Sequence, residues 1–287
     1  MSTKQTSNDN AITAARLQAG AIDMHAHAFP DDLAERAITT LEAECPWQAV
    51  GGGTVANLLA SMDAAGLAAS TIFTIATRPD QAEGILRWCE TIRSDRIWPF
   101  PSVHPDAPDA TGLIERIARA GFAGIKLHPM YQNFAIDEPR MNPLYAACRD
   151  AGLVVTFHSG RDIAYPPDDD RASPQRLAKM LDHMPGLRVI SSHMGGWRSW
   201  DAVEKHILGR DGLWIDTSFS LEELGPDLAA GMIRRHGPDR VVFGTDWPWR
   251  SHAESLTRLH NLGLSPAEEQ AVRRDNAAKL LAQNPNN

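Results

Sequence analysis

Five short apolar runs, each ended by a histidine or an aspartate, recur in order along the chain and constrain its fold more than any other feature. They are Ala21-Ile22-Asp23-Met24-His25-Ala26-His27, Gly124-Ile125-Lys126-Leu127-His128, Leu153-Val154-Val155-Thr156-Phe157-His158, Leu187-Arg188-Val189-Ile190-Ser191-Ser192-His193 and Arg240-Val241-Val242-Phe243-Gly244-Thr245-Asp246. A run of β-branched and apolar residues closed by a polar group predicts a buried strand. Parallel strands that close into a barrel bring their C-terminal ends to one mouth, where catalytic groups gather. Imidazoles and a carboxylate collected there can ligate a metal ion.

The segments between these runs complete an alternation of strands and helices. After the first strand, helices are predicted at 31–44 and 54–65, separated by Pro46 and Gly51-Gly52-Gly53. The triple glycine has no phosphate-binding context and reads as a loop. A second strand is expected at 70–76, followed by a helix from Asp80, which with Glu83 matches a capping box, to Ser94. Strand three at 97–103 and a helix at 110–120 come next, then strand four at 122–128 with a helix at 142–151. Strand five, 153–158, precedes a helix that Ser173-Pro174 would cap and start, running to 184. Strands at 187–193, 212–216 and 240–246 pair with helices at 200–208, 226–236 and from Ser251, where Glu254 completes another capping box. Ser265-Pro266-Ala267-Glu268 opens a last helix ending near Ala282. Eight βα units at about 30 residues each suit right-handed crossovers in a parallel sheet. The fold class is therefore α/β, a (β/α)8 barrel occupying residues 21–283 as one domain, with 1–20 as an N-terminal tail expected to be disordered.

Bulk properties narrow the function. A net charge of −8 with no basic block excludes a nucleic-acid surface as the main role. No apolar run approaches the roughly 20 residues that span a bilayer, and the first 20 residues lack a signal-peptide core, so a cytoplasmic enzyme is expected. Cys45, Cys89 and Cys148 are widely spaced and odd in number, which fits neither a disulfide framework nor a C-x-x-C site. The expected partners are a small-molecule substrate, which could carry a carboxylate, and a second copy of the chain as a homodimer.

Side-chain parity sharpens the site. Alternate residues of a strand share a face, so His25 and His27 point the same way, with Asp23 one level deeper. Lys126 shares a face with His128, and Thr156 with His158. Six of the 11 histidines (His25, His27, His104, His128, His158 and His193) fall at expected strand ends. The other five, His183, His206, His236, His252 and His260, lie on or beside helices and read as surface or helix-end imidazoles.

Taken in order, His25-Ala26-His27, Lys126-Leu127-His128-Pro129, Phe157-His158-Ser159-Gly160, Ser192-His193-Met194-Gly195-Gly196, Gly244-Thr245-Asp246-Trp247-Pro248 and Asn276-Ala277-Ala278 resemble the amidohydrolase-related family. That branch of the amidohydrolase superfamily also holds aminocarboxymuconate-semialdehyde decarboxylase and the non-oxidative aromatic acid decarboxylases. The resemblance implies a distorted (β/α)8 barrel in which His25, His27, His158 and Asp246 ligate one divalent cation, zinc first and manganese second. It implies that His193 holds a reacting oxygen or shuttles a proton; the alternative is that it props Asp246. Asp246 would also move the proton of an attacking water. His128 could contact substrate or pack at its strand end. Lys126 could contact substrate or, carboxylated, bridge two metals as in some amidohydrolases. Arg161 could clamp a substrate carboxylate or stand solvated in its loop. Trp197, Trp247 and Trp249 could wall a pocket for a planar substrate or simply pack. His104, before Pro105, is a marginal candidate.

Three functions follow. The first is a metal-dependent hydrolase of an ester, lactone or amide, and the second a metal-dependent decarboxylase of an unsaturated or aromatic acid. The third is a barrel retained only for binding, against which the intact ligand set argues. Many aromatic acid decarboxylases of the branch carry glutamate at the first H-x-H position, whereas His25 stands here, and this leans toward hydrolysis, although the semialdehyde decarboxylase keeps H-x-H.

Overall fold

The computed structural model describes residues 20–282. The tail expected at 1–20 lies outside the described residues except for Gly20. Strands β1 (Ala21–Asp23), β2 (Leu67–Phe73) and β3 (Ile97–Phe100) form one parallel ladder. Strands β4 (Gly124–Leu127), β5 (Val154–Phe157), β6 (Arg188–Ser191), β7 (Leu213–Asp216) and β8 (Val241–Val242) form a second. A few backbone bonds outside the ladders join the two into a ring. Lys126 N–H reaches the Pro101 carbonyl at 3.0 Å across the β3–β4 seam. At the β8–β1 seam, Met24 N–H reaches Phe243 O at 2.8 Å and Asp246 N–H reaches His25 O at 2.7 Å. The fold is a TIM barrel.

Helices return the chain between strands: α1 (Asp31–Glu42), α2 (Val55–Ala65), α3 (Ala82–Ile92), α4 (Ala110–Arg119), α5 (Asn142–Asp150), α6 (Pro174–His183), α7 (Trp200–His206), the short α8 (Leu221–Leu224), α9 (Pro226–His236) and α10 (His252–His260). The last helical segment runs through α11 (Pro266–Gln270), a π-helical turn at Ala271–Asp275 and α12 (Asn276–Ala282). The capping chemistry is local and specific. Ser173 accepts from Arg176 N–H, with Pro174 at the first helical position, and Ser265 with Glu268 makes a reciprocal capping box. The box expected at Asp80 and Glu83 does not form. Asp80 pairs with Arg78, Glu83 with Arg116, and the helix begins two residues later at Ala82.

The strand period sorts side chains between two cores. Val155 and Phe157 of β5 pack outward against the helices, whereas Val154 points inward with Ile22, Phe73, Phe100 and Ile190. Ala277, Leu280 and Leu281 of α12 join that inner cluster, so the C-terminal helix stoppers the barrel opposite the mouth. The interior is packed rather than open, as the layered core of such barrels requires. Ladders end sooner than periodicity suggests. The strand expected at 70–76 is found at Leu67–Phe73, and that expected at 240–246 keeps only Val241–Val242. Phe243 N–H has already turned to the Val272 carbonyl, and Gly244 N–H to Thr217 Oγ1. The polar residues that end the five runs therefore stand on loops just above the ladders. No helix among the described residues is long and apolar enough to cross a membrane.

Candidate active site

Three of those loop residues meet at one point. Nε2 of His25 and Nε2 of His27 stand 3.3 and 3.2 Å from the same oxygen, Oδ1 of Asp246. The far side of each ring is held by an acceptor: Asp216 Oδ2 at 2.9 Å for His25 Nδ1, and the Phe73 carbonyl at 3.1 Å for His27 Nδ1. An acceptor there requires the ring proton on Nδ1, so the neutral imidazole turns a bare lone pair inward at Nε2. Burial pushes His27 below the usual imidazole range and keeps it in that neutral form. Asp246, like carboxylates in general near neutral pH, is ionised. Two lone pairs and an ionised oxygen thus converge with no hydrogen between them. This is a donor set that a divalent cation stabilises, and one that fits the metal expected from the sequence.

Backbone strain places two of the polar residues. Asp246 and His193 have φ of 68° and 60°, the left-handed region that side chains other than glycine's rarely adopt. Each such residue costs about 1–3 kcal/mol and persists only where its surroundings over-determine it. Here they do. Asp246 N–H is held by His25 O, and His193 N–H by Asp216 Oδ1 at 2.9 Å. Gly244 allows the crossing, since a Cβ there would lie 2.9 Å from the His25 Cβ.

His193 Nε2 and His158 Nδ1 face each other at 3.1 Å. His158 Nε2–H donates to the Arg161 carbonyl at 2.9 Å, so its Nδ1 is the bare nitrogen. His193 Nδ1 lies 3.2 Å from the Ser218 carbonyl and 2.9 Å from Ser218 Oγ, which itself donates to Asp216. The proton of His193 therefore sits on Nδ1, and its Nε2 also faces inward. Burial, reinforced by neighbouring imidazoles, holds His193 well below the usual range. His158 stands with His128 and Asp162 rather than in the His25–His27–Asp246 group, its ring stacked on His128 at 4.2 Å.

These groups line a cavity of about 780 Å³ that opens at the C-terminal mouth. Lys126 is its buried cation. Nζ donates to Ser192 Oγ at 3.3 Å and lies 4.7 Å above the Phe73 ring. Burial lowers its pKa to about 8 despite the attraction of Asp216 and Asp246. His128 also lines the cavity, though its Nε2 turns to Asp162 Oδ2 at 3.3 Å. Trp47, Trp197 and Phe219 form an aromatic wall with ring separations of 4.8–6.0 Å, and Trp249 lies nearby.

Other residues expected at the site stand elsewhere. The Arg161 side chain is exposed and faces an outer groove with Asp168 and Arg176; only its carbonyl serves the cluster. Trp247 is 1% exposed and packs behind the site, stacked on His252. His104 is buried away from the cavity, its Nδ1 accepting from Asp106 N–H. Two histidines expected on the surface are fully buried. His236 donates to Leu213 O, and His252 pairs with Asp23 at 3.1 Å. Sequence reasoning missed Asp216, Ser218 and Asp162. Asp216 ends β7 as the histidines end their strands, and that position was the available signal.

The chain belongs to the amidohydrolase family, whose model matches residues 22–283. A TIM-barrel protein of Bordetella bronchiseptica is similar over 92% of this chain and 99% of its own, at 20% identity and a TM-score of 0.73. A Pseudomonas putida protein assigned as a 2-pyrone-4,6-dicarboxylic acid hydrolase is similar over 92% of this chain and 98% of its own, at 18% identity and TM-score 0.63. The 5-carboxyvanillate decarboxylase of Novosphingobium aromaticivorans, with bound manganese and 3-methoxy-4-hydroxy-5-nitrobenzoic acid, is similar over 93% and 98%, at 15% identity and TM-score 0.66. At these identities the likeness is one of fold. No curated protein matches the chain. The family is one of metal-dependent enzymes, and this chain carries His and Asp groups able to hold a metal.

Proposed function

We propose that the protein is a metal-dependent hydrolase that splits an ester, lactone or amide carbonyl, holding one divalent cation, zinc or manganese, on His25, His27, Asp246 and His158. The observation that carries this reading is the convergence of two bare imidazole nitrogens on one oxygen of Asp246. When bound, the cation supplies Lewis acidity to the carbonyl oxygen and acidifies the attacking water. Asp246 takes the proton released as the water oxygen bonds to carbon, and delivers it to the leaving group as that bond breaks. His193 holds or hands over a proton at Nε2 beside the reacting oxygen. Lys126 anchors a negative group of the substrate, and the Trp47–Trp197–Phe219 wall takes its planar or apolar part.

A second reading, decarboxylation of an unsaturated or aromatic acid, draws on the buried Lys126 cation, which lines the same cavity as this aromatic wall, and on the aromatic acid bound by the similar decarboxylase. The presence of His25, not glutamate, at the first H-x-H position supports the hydrolase. Panels of lactones, aryl esters and aromatic acids, followed for proton release and CO2 release together, separate the two. Proton release without CO2 supports hydrolysis, and CO2 release from an acid overturns it.

A further inference from the structure

We propose that Asp162 is a positioning residue that acts through His158 and sets how tightly the cation is held. This rests on the reading above that His158 belongs to the ligand set. Asp162 lies four residues beyond His158, in the loop that leaves β5. Its two oxygens serve separate tasks. Oδ1 accepts Ala164 N–H at 2.9 Å, a turn that fixes the backbone of the loop. Oδ2 lies 3.3 Å from Nε2 of His128 and 3.7 Å from Nε2 of His158. The two rings are stacked with planes 16° apart, so one carboxylate oxygen faces the outer nitrogens of both.

The hydrogens on those nitrogens follow from their other partners. His128 Nδ1 accepts from Tyr131 N–H at 3.4 Å, which leaves the ring proton on Nε2, toward Asp162. His158 Nε2–H donates to the carbonyl of Arg161, the residue that directly precedes Asp162. With its outer nitrogen protonated, His158 offers only Nδ1 to the barrel axis, where it meets His193. The same hydrogens rule out His128, His158 and Asp162 as a second cation site in this arrangement, because the rings present N–H groups, not lone pairs, to the carboxylate. Outer carboxylates that fix the tautomer of a ligating histidine alter metal affinity by about 10–100-fold.

The test uses the full-length protein with Asp162→Asn, and with Asp162→Ala as a second variant of the same exposed loop. Zinc affinity, read by competition with a chelator of known strength, should weaken by about 10–100-fold. Long-range 1H–15N spectra of the metal-free protein, with His158 assigned through His158→Gln, should show a single Nε2–H form that gives way to a mixture in both variants. Wild-type tautomer and wild-type affinity in both variants would overturn the proposal. A wild-type protein that takes up no zinc would overturn the ligand reading instead, and the tautomer in the metal-free protein would still decide the role of Asp162.

Discussion

Asp216 and His25 form a buried carboxylate–imidazole pair at the mouth of the barrel, 2.9 Å apart; Asp23 and His252 form another one level below, 3.1 Å apart. In the lower pair every group is closed. His252 Nδ1 is bonded to Ser61 Oγ at 2.7 Å, and Asp23 accepts from His25 N–H, Thr245 N–H and Thr245 Oγ1. In the upper pair the second nitrogen of His25 meets no donor, only the Asp246 carboxylate. The pairs share their chemistry and differ in one lone pair. On the proposed reading, metal binding draws on the nitrogen left facing the cavity, while a fully partnered pair holds the corner beneath it.

The sharpest break of that comparison comes from removing the open donors. Asp246→Asn and His25→Ala should lower the metal content of the purified protein to near none and reduce turnover to background, with the far-ultraviolet spectrum unchanged. Metal retained in both, by elemental analysis, would remove the distinction. His193→Ala should keep the metal and lose rate by about 10²–10⁴-fold, or about 3–5 kcal/mol of transition-state stabilisation. Loss of metal in that variant would make His193 a ligand, and unchanged kcat would make it a packing residue. The lower pair should respond in stability instead. His252→Ala leaves Asp23 buried with one fewer partner and should cost about 3–5 kcal/mol in denaturant unfolding. The folded fraction should still take up metal.

The division between legible and illegible residues follows the same physics. Strand runs ended by histidine or aspartate are local signals, so the barrel, the H-x-H pair and Asp246 could be read from them. Partners supplied by other strands are not local. Asp216 reaches His25 across 191 positions and Asp162 reaches His128 across 34, and no periodicity marks either. Arg161 shows the converse. Its sequence position suggested a clamp, but the loop that turns Asp162 inward sends the Arg161 side chain out. His252 reads as a helix-surface residue because its helix is amphipathic, yet it sits at the first turn, tucked over Asp23.

Two smaller effects sharpen the contrast between open and closed histidines. His236 is closed on both sides, donating to Leu213 O at 3.0 Å and accepting from Gly209 N–H at 3.3 Å. Burial lowers its pKa to about 4. A histidine lowered on folding binds its proton more readily when unfolded, so its contribution is full above about pH 6.5 and is lost as pH falls toward 4. The loss approaches about 3 kcal/mol at about 1.4 kcal/mol per pH unit, and His236→Gln should flatten that part of the stability curve. An identical pH dependence in the variant would show that His236 is not the group responsible. Arg161→Ala should change kcat/KM by no more than about twofold, as expected of an exposed side chain. A tenfold rise in KM for a carboxylate substrate would return Arg161 to the site.

The central claim is that the lone pairs of His25 and His27 and the oxygen of Asp246 hold one catalytic cation. Calorimetric titration of the chelator-stripped, full-length protein with zinc and with manganese, with turnover assayed at each addition, tests it most directly. One equivalent should bind, and activity should rise in proportion to occupancy and stop at that equivalent. Full turnover in the stripped protein, or saturation with metal that brings no activity on any ester, lactone, amide or acid tried, would contradict it.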